Sequence, residues 1–389
     1  MQLNFDVTII GAGLVGSSLA LGLGALGVNV ALIDSNPTVP PHSTGWDSRI
    51  YALSPGSVSF LQSLGVWSYC EKSRMASVQR MRLFGDSASD PLEFDAYEAG
   101  LSELAVIIEH QALARILAER IQLEPHIQCF CPVKPQSWAV NGAYNELQLE
   151  DGRVIHSHLL IGADGSSSWV RNQAKIKTSQ SVYKQSAVII NFSCERAHEQ
   201  CAFQWFNAPG ILALLPLPGD RVSMVWSTDH AHANELMQGS SQDLAHQVHQ
   251  ATKGLLGTFQ RLSDPQIFPL YWRQAAQWVQ PQLALVGDAA HSVHPLAGQG
   301  VNLGFRDAQS LLRVVSERVS GESIGDYRLL RRYERARKED ALSLRVVTDG
   351  LQKLFATENS WIARARNFGL RTLQGQRQIK KILIHHAVI

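Results

Sequence analysis

FDVTIIGAGLVG (5–16) is the stretch on which the fold turns. Residues 4–10 read as a buried strand, Gly11 opens a turn, and residues 14–26 carry small and apolar side chains at helical spacing. Gly27 suits the cap of that helix, because glycine takes the left-handed conformation cheaply. VNVALID (28–34) reads as the next strand, which completes a βαβ unit. Gly11, Gly13 and Gly16 form GxGxxG, and Asp34 closes the second strand 18 residues past Gly16. The pattern alone is weak; strand before, helix after and acid beyond supply the context that a dinucleotide site requires. Gly11 permits the tight turn, Gly13 lets backbone approach a pyrophosphate, and Gly16 lets helix and strand pack closely. The helix N-terminus brings partial positive charge and free N–H donors. Asp34 can accept hydrogen bonds from a ribose diol. The competing reading is a glycine-rich turn that holds no ligand.

A second segment lies almost at the other end of the chain: PQLALVGDAAHSVHPLAGQGVNLGFR (281–306). Residues 281–286 read as a buried parallel strand, followed by Gly287 and Asp288. Asp288 is placed to bond a sugar-like hydroxyl. Pro295, Gly298 and Gly300 shape a loop whose backbone can approach a flat ring. A helix beginning near Gln299, Gly300, Val301 and Asn302 would aim N–H donors at that ring and stabilise negative charge on it. Two ligand-gripping turns at opposite ends of one chain suggest one extended cofactor, FAD. His291 and His294 have a spacing seen in metal sites, but no carboxylate or thiolate cluster accompanies them. No metal is expected; packing or hydrogen bonding near the ring is.

Composition bounds the rest. The 389 residues are 45% hydrophobic and 18% charged, enough for a sizeable core and unlike a disordered chain. A formal charge of +1 gives no global field for nucleic acid. Five cysteines (Cys70, Cys129, Cys131, Cys194, Cys201) without a CxxC fit buried thiols in a reducing compartment. The N-terminus enters a strand by about Leu3, so no signal segment is expected, and no apolar run is long enough to span a membrane. The expectation is a cytoplasmic protein.

Between the two turns, Ser54 and Pro55 mark a helix start over 54–64, with Ser54 as N-cap. A further helix is expected over 111–124, ending before Pro125. Alternation in YNELQLE (144–150), then Asp151-Gly152, predicts a hairpin running into a buried strand. From about 180 to 275, strand-like runs alternate with turns and predict a separate antiparallel sheet, with one helix around 241–256. Residues 299–384 read as mostly helical.

LLIGADGSSSWVR (159–171) places Asp164-Gly165 after a strand, with Ser168 and Arg171 beyond. With the two flanking motifs this resembles the DG motif of flavoprotein hydroxylases. The three motifs in this order resemble class A FAD-dependent aromatic monooxygenases, the para-hydroxybenzoate hydroxylase fold. WDSRIYALSPGSVSFLQSLGVW (46–67), GILALLPLPGDRVSMVWS (210–227) and GDAAHSVHPLAGQGVNLGFRDA (287–308) resemble the ubiquinone-biosynthesis hydroxylases within it. The likeness covers roughly residues 3–370.

The resemblance implies an α/β fold: a Rossmann-like FAD-binding domain of glutathione-reductase type, an inserted antiparallel-sheet substrate domain and a helical C-terminus. The expected division is 1–70, 105–175 and 276–330 for FAD, 71–104 and 176–275 for substrate, and 331–389 for the helical end. It also implies hydroxylation of a prenylated phenol or quinol, with NADH or NADPH as transient reductant, O2 as co-substrate and a C4a-hydroperoxyflavin as oxygen donor. By the match, Arg49 sits beside the FAD and Asp164 lines its cleft. The family often has Asn after the position of Glu109; this chain has His110. Phe203, Trp205, Leu215, Pro216 and Trp226 are candidates for the substrate pocket, and plain sheet core is the alternative for each. No residue stands out as the base that deprotonates the phenol. A flavin-dependent isoprenoid reductase and an FAD-bound scaffold subunit of a biosynthetic complex share the fold and stay open.

From Arg331 to Ile389 there are 13 Lys/Arg against 5 Asp/Glu. A basic amphipathic surface there suits peripheral contact with anionic lipid at the inner membrane face. A solvated helix face or a protein contact suits it equally.

Overall fold

The computed structural model describes residues 2–37, 45–85, 91–207, 210–292 and 299–356, with side chains through Ala341 except those of Asn207 and Gln299. Pro295, Gly298, His294 and the basic stretch beyond Ala356 lie outside the described residues.

Three sheets organise the chain. The first is built on five parallel strands in the order Leu283–Leu285, Val154–Gly162, Gln2–Ile10, Val30–Ile33, Ile127–Phe130. The central three are buried toward their carboxyl ends, over Val7–Ile10, Leu159–Gly162 and Val30–Ile33, because both faces of a parallel sheet are covered there. The helix Leu14–Ala25 connects the first two strands in sequence and packs against the helices His110–Gln122 and Gln299–Ser316. Gln299–Ser316 in turn carries the long helix Tyr327–Ala356. The expected hairpin is present: Tyr144–Leu149 runs antiparallel to Val154–Gly162, with Pro135–Asn141 beyond it. Ser54 caps the helix Pro55–Ser63 by accepting from the Ser57 amide.

The second sheet has nine strands, most of them between Thr178 and Ala275, joined by Arg80–Phe84, Leu92–Asp95 and His291–Ser292. It is antiparallel except where Cys201–Asn207 runs parallel to Arg80–Phe84, a pairing between segments more than 100 residues apart. Two helices rather than one cover a single face, His230–Gln238 and Ser241–Ala251. The first begins where Asp229 accepts from the Ala231 and His232 amides, a cap. The second stops at Ala251 rather than near 256, because the chain turns through Lys253 and Gly254 at positive φ.

A small third sheet, Ile50–Leu53, Ala105–Glu109 and Met75–Val78, lies between the other two. Met75–Val78 therefore pairs with strands on the FAD side of the expected division, although it falls inside the 71–104 segment assigned to substrate. The largest core fills the space around the first sheet and a second lies beneath the two covering helices.

Candidate functional site

The three motifs leave the first sheet at the carboxyl ends of three adjacent parallel strands. Ile10 is registered with Gly162, and Gly162 with Leu285. Gly11, Ala163-Asp164 and Val286-Gly287 follow directly, so Gly11 and Gly287, 276 positions apart in sequence, meet on one edge. Open α/β sheets bind ligands at that edge.

Gly11 has φ +109°, and a Cβ there would lie 2.3 Å from the Ala163 carbonyl oxygen. Only glycine fits between the first turn and the DG segment. A Cβ on Gly16 would come within 1.9 Å of the Gly11 carbonyl oxygen, so strand and helix are in backbone contact there. Gly13 differs: a Cβ on it would meet nothing within 4 Å. The open space lies at the N-cap of the helix Leu14–Ala25, where unpaired N–H groups face outward. The late motif packs on the same helix. A Cβ on Gly304 would stand 2.4 Å from a Val15 methyl and 3.6 Å from the Gly287 Cα.

Asp34 accepts from the Ala12 amide at 2.7 Å through one oxygen and from Asn36 through the other. It therefore braces the glycine turn, and both oxygens keep lone pairs for a diol. Asp164 accepts from the Val170 amide at 3.0 Å, while its other oxygen is buried and unpartnered among the described residues. Burial raises its carboxyl above the ordinary value, against the Ser168 hydroxyl and nearby amides. Arg171 ties this turn to the late motif, donating to the Ser166 and Ala289 carbonyls at 2.7 and 2.9 Å.

Asp288 faces solvent but is crowded by protein on its other sides, as a group on the floor of an open cleft is. Desolvation raises its carboxyl; His291 and Arg49 pull it back and Asp307 adds to the rise. Arg49 is exposed and stands over the Tyr51 ring, 5.7 Å from its centroid. Burial raises the Tyr51 phenol, which also feels Arg49 and Asp288. Arg49, Tyr51 and Asp288 are thus one electrostatic group. His110 approaches the Tyr51 hydroxyl at 3.5 Å, and burial with Arg49 lowers its ring below the usual histidine value.

Gln299 starts the late helix, followed by half-buried Gly300 and buried Val301. A Cβ on Gly300 would also meet nothing within 4 Å. The Asn302 side chain is fully engaged elsewhere: it accepts from the Ser54 amide and the Ser57 hydroxyl and donates to the Ala52 carbonyl. Any ligand contact from Asn302 falls to its main chain.

Sequence reasoning missed a buried ionic group beneath the late motif. Asp307, with no exposed surface, accepts from the Gly287 amide at 2.9 Å, His291 Nε2 at 2.6 Å and Arg337 Nε at 2.8 Å. Trp278 stacks on His291, with centroids 4.6 Å apart. Burial opposes ionisation of Asp307, but His291 and Arg337 outweigh it and hold the carboxyl below its ordinary value. The signal was present: Leu303, Asp307 and Leu311 recur at i+4, which puts a carboxylate in an apolar stripe. A second missed group is buried Glu109, which accepts from the Asp47 amide at 2.6 Å and pairs with Arg74. Arg74 lies 4.4 Å over the Trp46 ring.

The pocket candidates divide between faces of the second sheet. Phe203, Trp205 and Trp226 are buried under the two covering helices, where Trp205 stacks on Phe84 and Trp226 meets His232 edge-on. Pro216 shares the alternation of Leu212 and Leu214 on that side. Leu215 points the other way and packs near Ile50 and Ala52. Three aromatic candidates thus serve as sheet core, because side chains alternate along a strand.

A space at a helix N-terminus that Gly13 leaves open, an unpartnered carboxylate oxygen on Asp164 and a solvent-facing acid at Asp288 form one continuous edge. They fit an extended nucleotide cofactor. A family model described as FAD binding domain matches residues 4–345. The chain belongs to that FAD-binding family. This flavoprotein is 34% identical over 385 residues to the 3-demethoxyubiquinol 3-hydroxylase of Escherichia coli (strain K12), covering 98% of each chain. It is 30% identical over 433 residues to the mitochondrial ubiquinone biosynthesis monooxygenase COQ6 of Rattus norvegicus, covering 98% of this chain and 90% of that one. The crystal structure of the p-nitrophenol 4-monooxygenase PnpA from Pseudomonas putida DLL-E4 superposes with a TM-score of 0.78 at 16% identity, over 100% of this chain and 98% of that one. The fold is the para-hydroxybenzoate hydroxylase type, as the resemblance implied.

Among the described residues no helix is long and apolar enough to cross a membrane. Arg331 and Lys338 pair with Glu334, Arg332 with Glu317, and Arg337 with Asp307 and Asp340. Between Arg331 and Asp340 these basic charges are therefore met within the chain.

Proposed function

We propose that this flavoprotein hydroxylates the aromatic ring of a polyprenyl phenol or quinol in ubiquinone biosynthesis, using FAD, O2 and NADH or NADPH. The observation that carries the proposal is the meeting of three turn motifs on one sheet edge, next to the third sheet that bears Arg49 and Tyr51. The names of the relatives support the substrate class.

FAD, when bound, supplies the redox and oxygen-transfer chemistry. The chain binds, orients and excludes water. The glycine turn and the N-terminus of Leu14–Ala25 would hold the pyrophosphate, and Asp34 the ribose. Asp288 and Arg49 would hold the ribityl chain, with Asp164 beside them. The N-terminus of Gln299–Ser316 would stabilise negative charge at the ring through the Gly300 and Val301 amides. The second sheet has a helix-free face with half-buried Ile189, Ile211, Ala213, Leu215 and Val225. An apolar face of this kind suits a lipid-tailed phenol and keeps water from the reacting ring. Burial keeps the Tyr51 phenol protonated at neutral pH, so it is a hydrogen-bond donor there.

The test is NAD(P)H oxidation by the FAD-loaded enzyme with and without 2-geranylphenol, followed by mass spectrometry. Stimulated oxidation and a product heavier by one oxygen are expected. Reduction of the prenyl chain without O2, or FAD binding with no turnover on any phenol or quinol, would overturn the proposal.

A further inference from the structure

Residues 45–49 form a short segment without helix or strand, yet groups from two sheets hold it. On the third-sheet side, Arg74 donates to the Gly45 carbonyl at 2.9 Å and Glu109 accepts from the Asp47 amide at 2.6 Å. The His110 amide donates to the Arg49 carbonyl at 2.9 Å, and the Gln111 amide to the Asp47 carboxylate at 3.1 Å. From the second sheet, Asn191 donates to the Asp47 carbonyl at 2.9 Å. Trp46 joins the two sides. Arg74 lies over its ring at 4.4 Å, and Arg221, which opens the second-sheet strand Arg221–Asp229, lies over it at 5.3 Å.

An indole ring attracts guanidinium groups through its quadrupole. Two cations at one ring repel each other, but Glu109 pairs with Arg74, and Arg221 donates to the Pro218 carbonyl at 2.9 Å. Trp46 is half-buried and, among the described residues, packs in none of the hydrophobic cores. A large ring outside every core, shared by cations from two sheets, ties those sheets together. Arg49 lies three residues on. Its amide donates to Asp47 at 2.9 Å and its carbonyl is held by His110, so its backbone is fixed at both ends. Its side chain is exposed and in the electrostatic group with Tyr51 and Asp288. Where that guanidinium lies follows from where the segment is pinned.

We propose that Trp46 is a positioning residue that carries the placement of the second sheet to Arg49. Held by Arg74 and Arg221 together, it fixes segment 45–49 between the sheets, and with it the Arg49 guanidinium at the flavin edge. This rests on the reading of Arg49 as an FAD contact and adds what keeps that contact in register with the second sheet. Trp46 acts through Arg49.

The experiment is a double-mutant cycle on FAD affinity, measured by titrating the FAD-free full-length protein and following flavin fluorescence. Arg49→Met should weaken FAD by at least about tenfold, the loss of a charged hydrogen bond. Trp46→Leu should weaken it by about three- to tenfold, the scale of the cation–π contacts. In the Arg49→Met background the same Trp46 change should alter affinity by less than about 1.5-fold. Trp46→Phe, which keeps a ring for the two cations, should fall between Trp46→Leu and wild type. Arg221→Met serves as the second variant should Trp46→Leu be insoluble. It should weaken FAD by about two- to threefold, and add nothing once Arg49 is Met. Equal weakening by the Trp46 or Arg221 change in both backgrounds marks a general packing role and overturns the proposal, as does no weakening in either. Trp46→Phe no better than Trp46→Leu overturns the cation–π account. Unchanged FAD affinity in Arg49→Met overturns the reading of Arg49 on which the proposal rests, and a wild type that binds no FAD overturns the functional reading itself.

Discussion

Asp307→Asn is the sharpest test of how the late motif is held. The carboxylate meets three donors, the Gly287 amide, His291 Nε2 and Arg337 Nε, with no surface exposed. Asparagine has the same shape but one acceptor oxygen. Whichever way its amide turns, an N–H group faces a donor, either Arg337 or the Gly287 and His291 pair. The Arg337 guanidinium, 7% exposed, is left with Asp340 alone. Breaking a buried ion pair costs about 3–5 kcal/mol, and the surviving Asp340 contact puts this case near the low end, about 3 kcal/mol. With an unfolding entropy of about 2.1 cal/mol/K per residue over the 389-residue chain, the midpoint should fall by about 4 °C. Thermal unfolding of the FAD-free protein by circular dichroism measures it. FAD affinity should fall as well, since the Gly287 turn loses its anchor.

The pH dependence has a definite sign. The folded carboxyl lies below its ordinary value of 3.8, so its contribution is present above that pH and lost as pH falls through the folded value. The gap between wild type and variant should therefore be full at pH 7 and close in acid. The double variant Asp307→Leu/Arg337→Met should recover part of the loss, because apolar groups replace a buried pair without an orphaned charge. A midpoint within 1 °C of wild type with unchanged FAD affinity refutes the reasoning.

Other predictions follow the same logic. Gly13 has φ −69° and ψ −178°, ordinary for any residue, and open space around it. Gly13→Val should fold with a wild-type midpoint and purify without flavin; a yellow variant contradicts the pyrophosphate assignment. Gly11→Ala should instead lose soluble yield, since φ +109° costs about 1–3 kcal/mol before the overlap with Ala163. Burial and Arg49 lower His110 below 6.5, so the unfolded chain takes up that proton first as pH falls. Wild type should then lose stability below about pH 6.5 more steeply than His110→Asn, read as midpoints from pH 7 to 5; parallel curves exclude His110 as the cause.

The sequence by itself determined the βαβ start, the glycine turn with Asp34, the hairpin at 144–162 and the Ser54 cap. Each of these is set by neighbours within about 30 residues, through periodicity, turn chemistry and capping. It also pointed to a shared ligand for the two distant turns. Only the tertiary structure decided what lies between them. Which face of the second sheet is covered depends on two helices whose docking no local pattern encodes, so Phe203, Trp205 and Trp226 went to core and Gln204 to the open face. The parallel pairing of Arg80–Phe84 with Cys201–Asn207, the Asp307–Arg337 pair and the Glu109–Arg74 pair join segments far apart in the chain. A charged residue in an apolar stripe announces that a partner exists, but only the folded chain brings that partner within hydrogen-bond range.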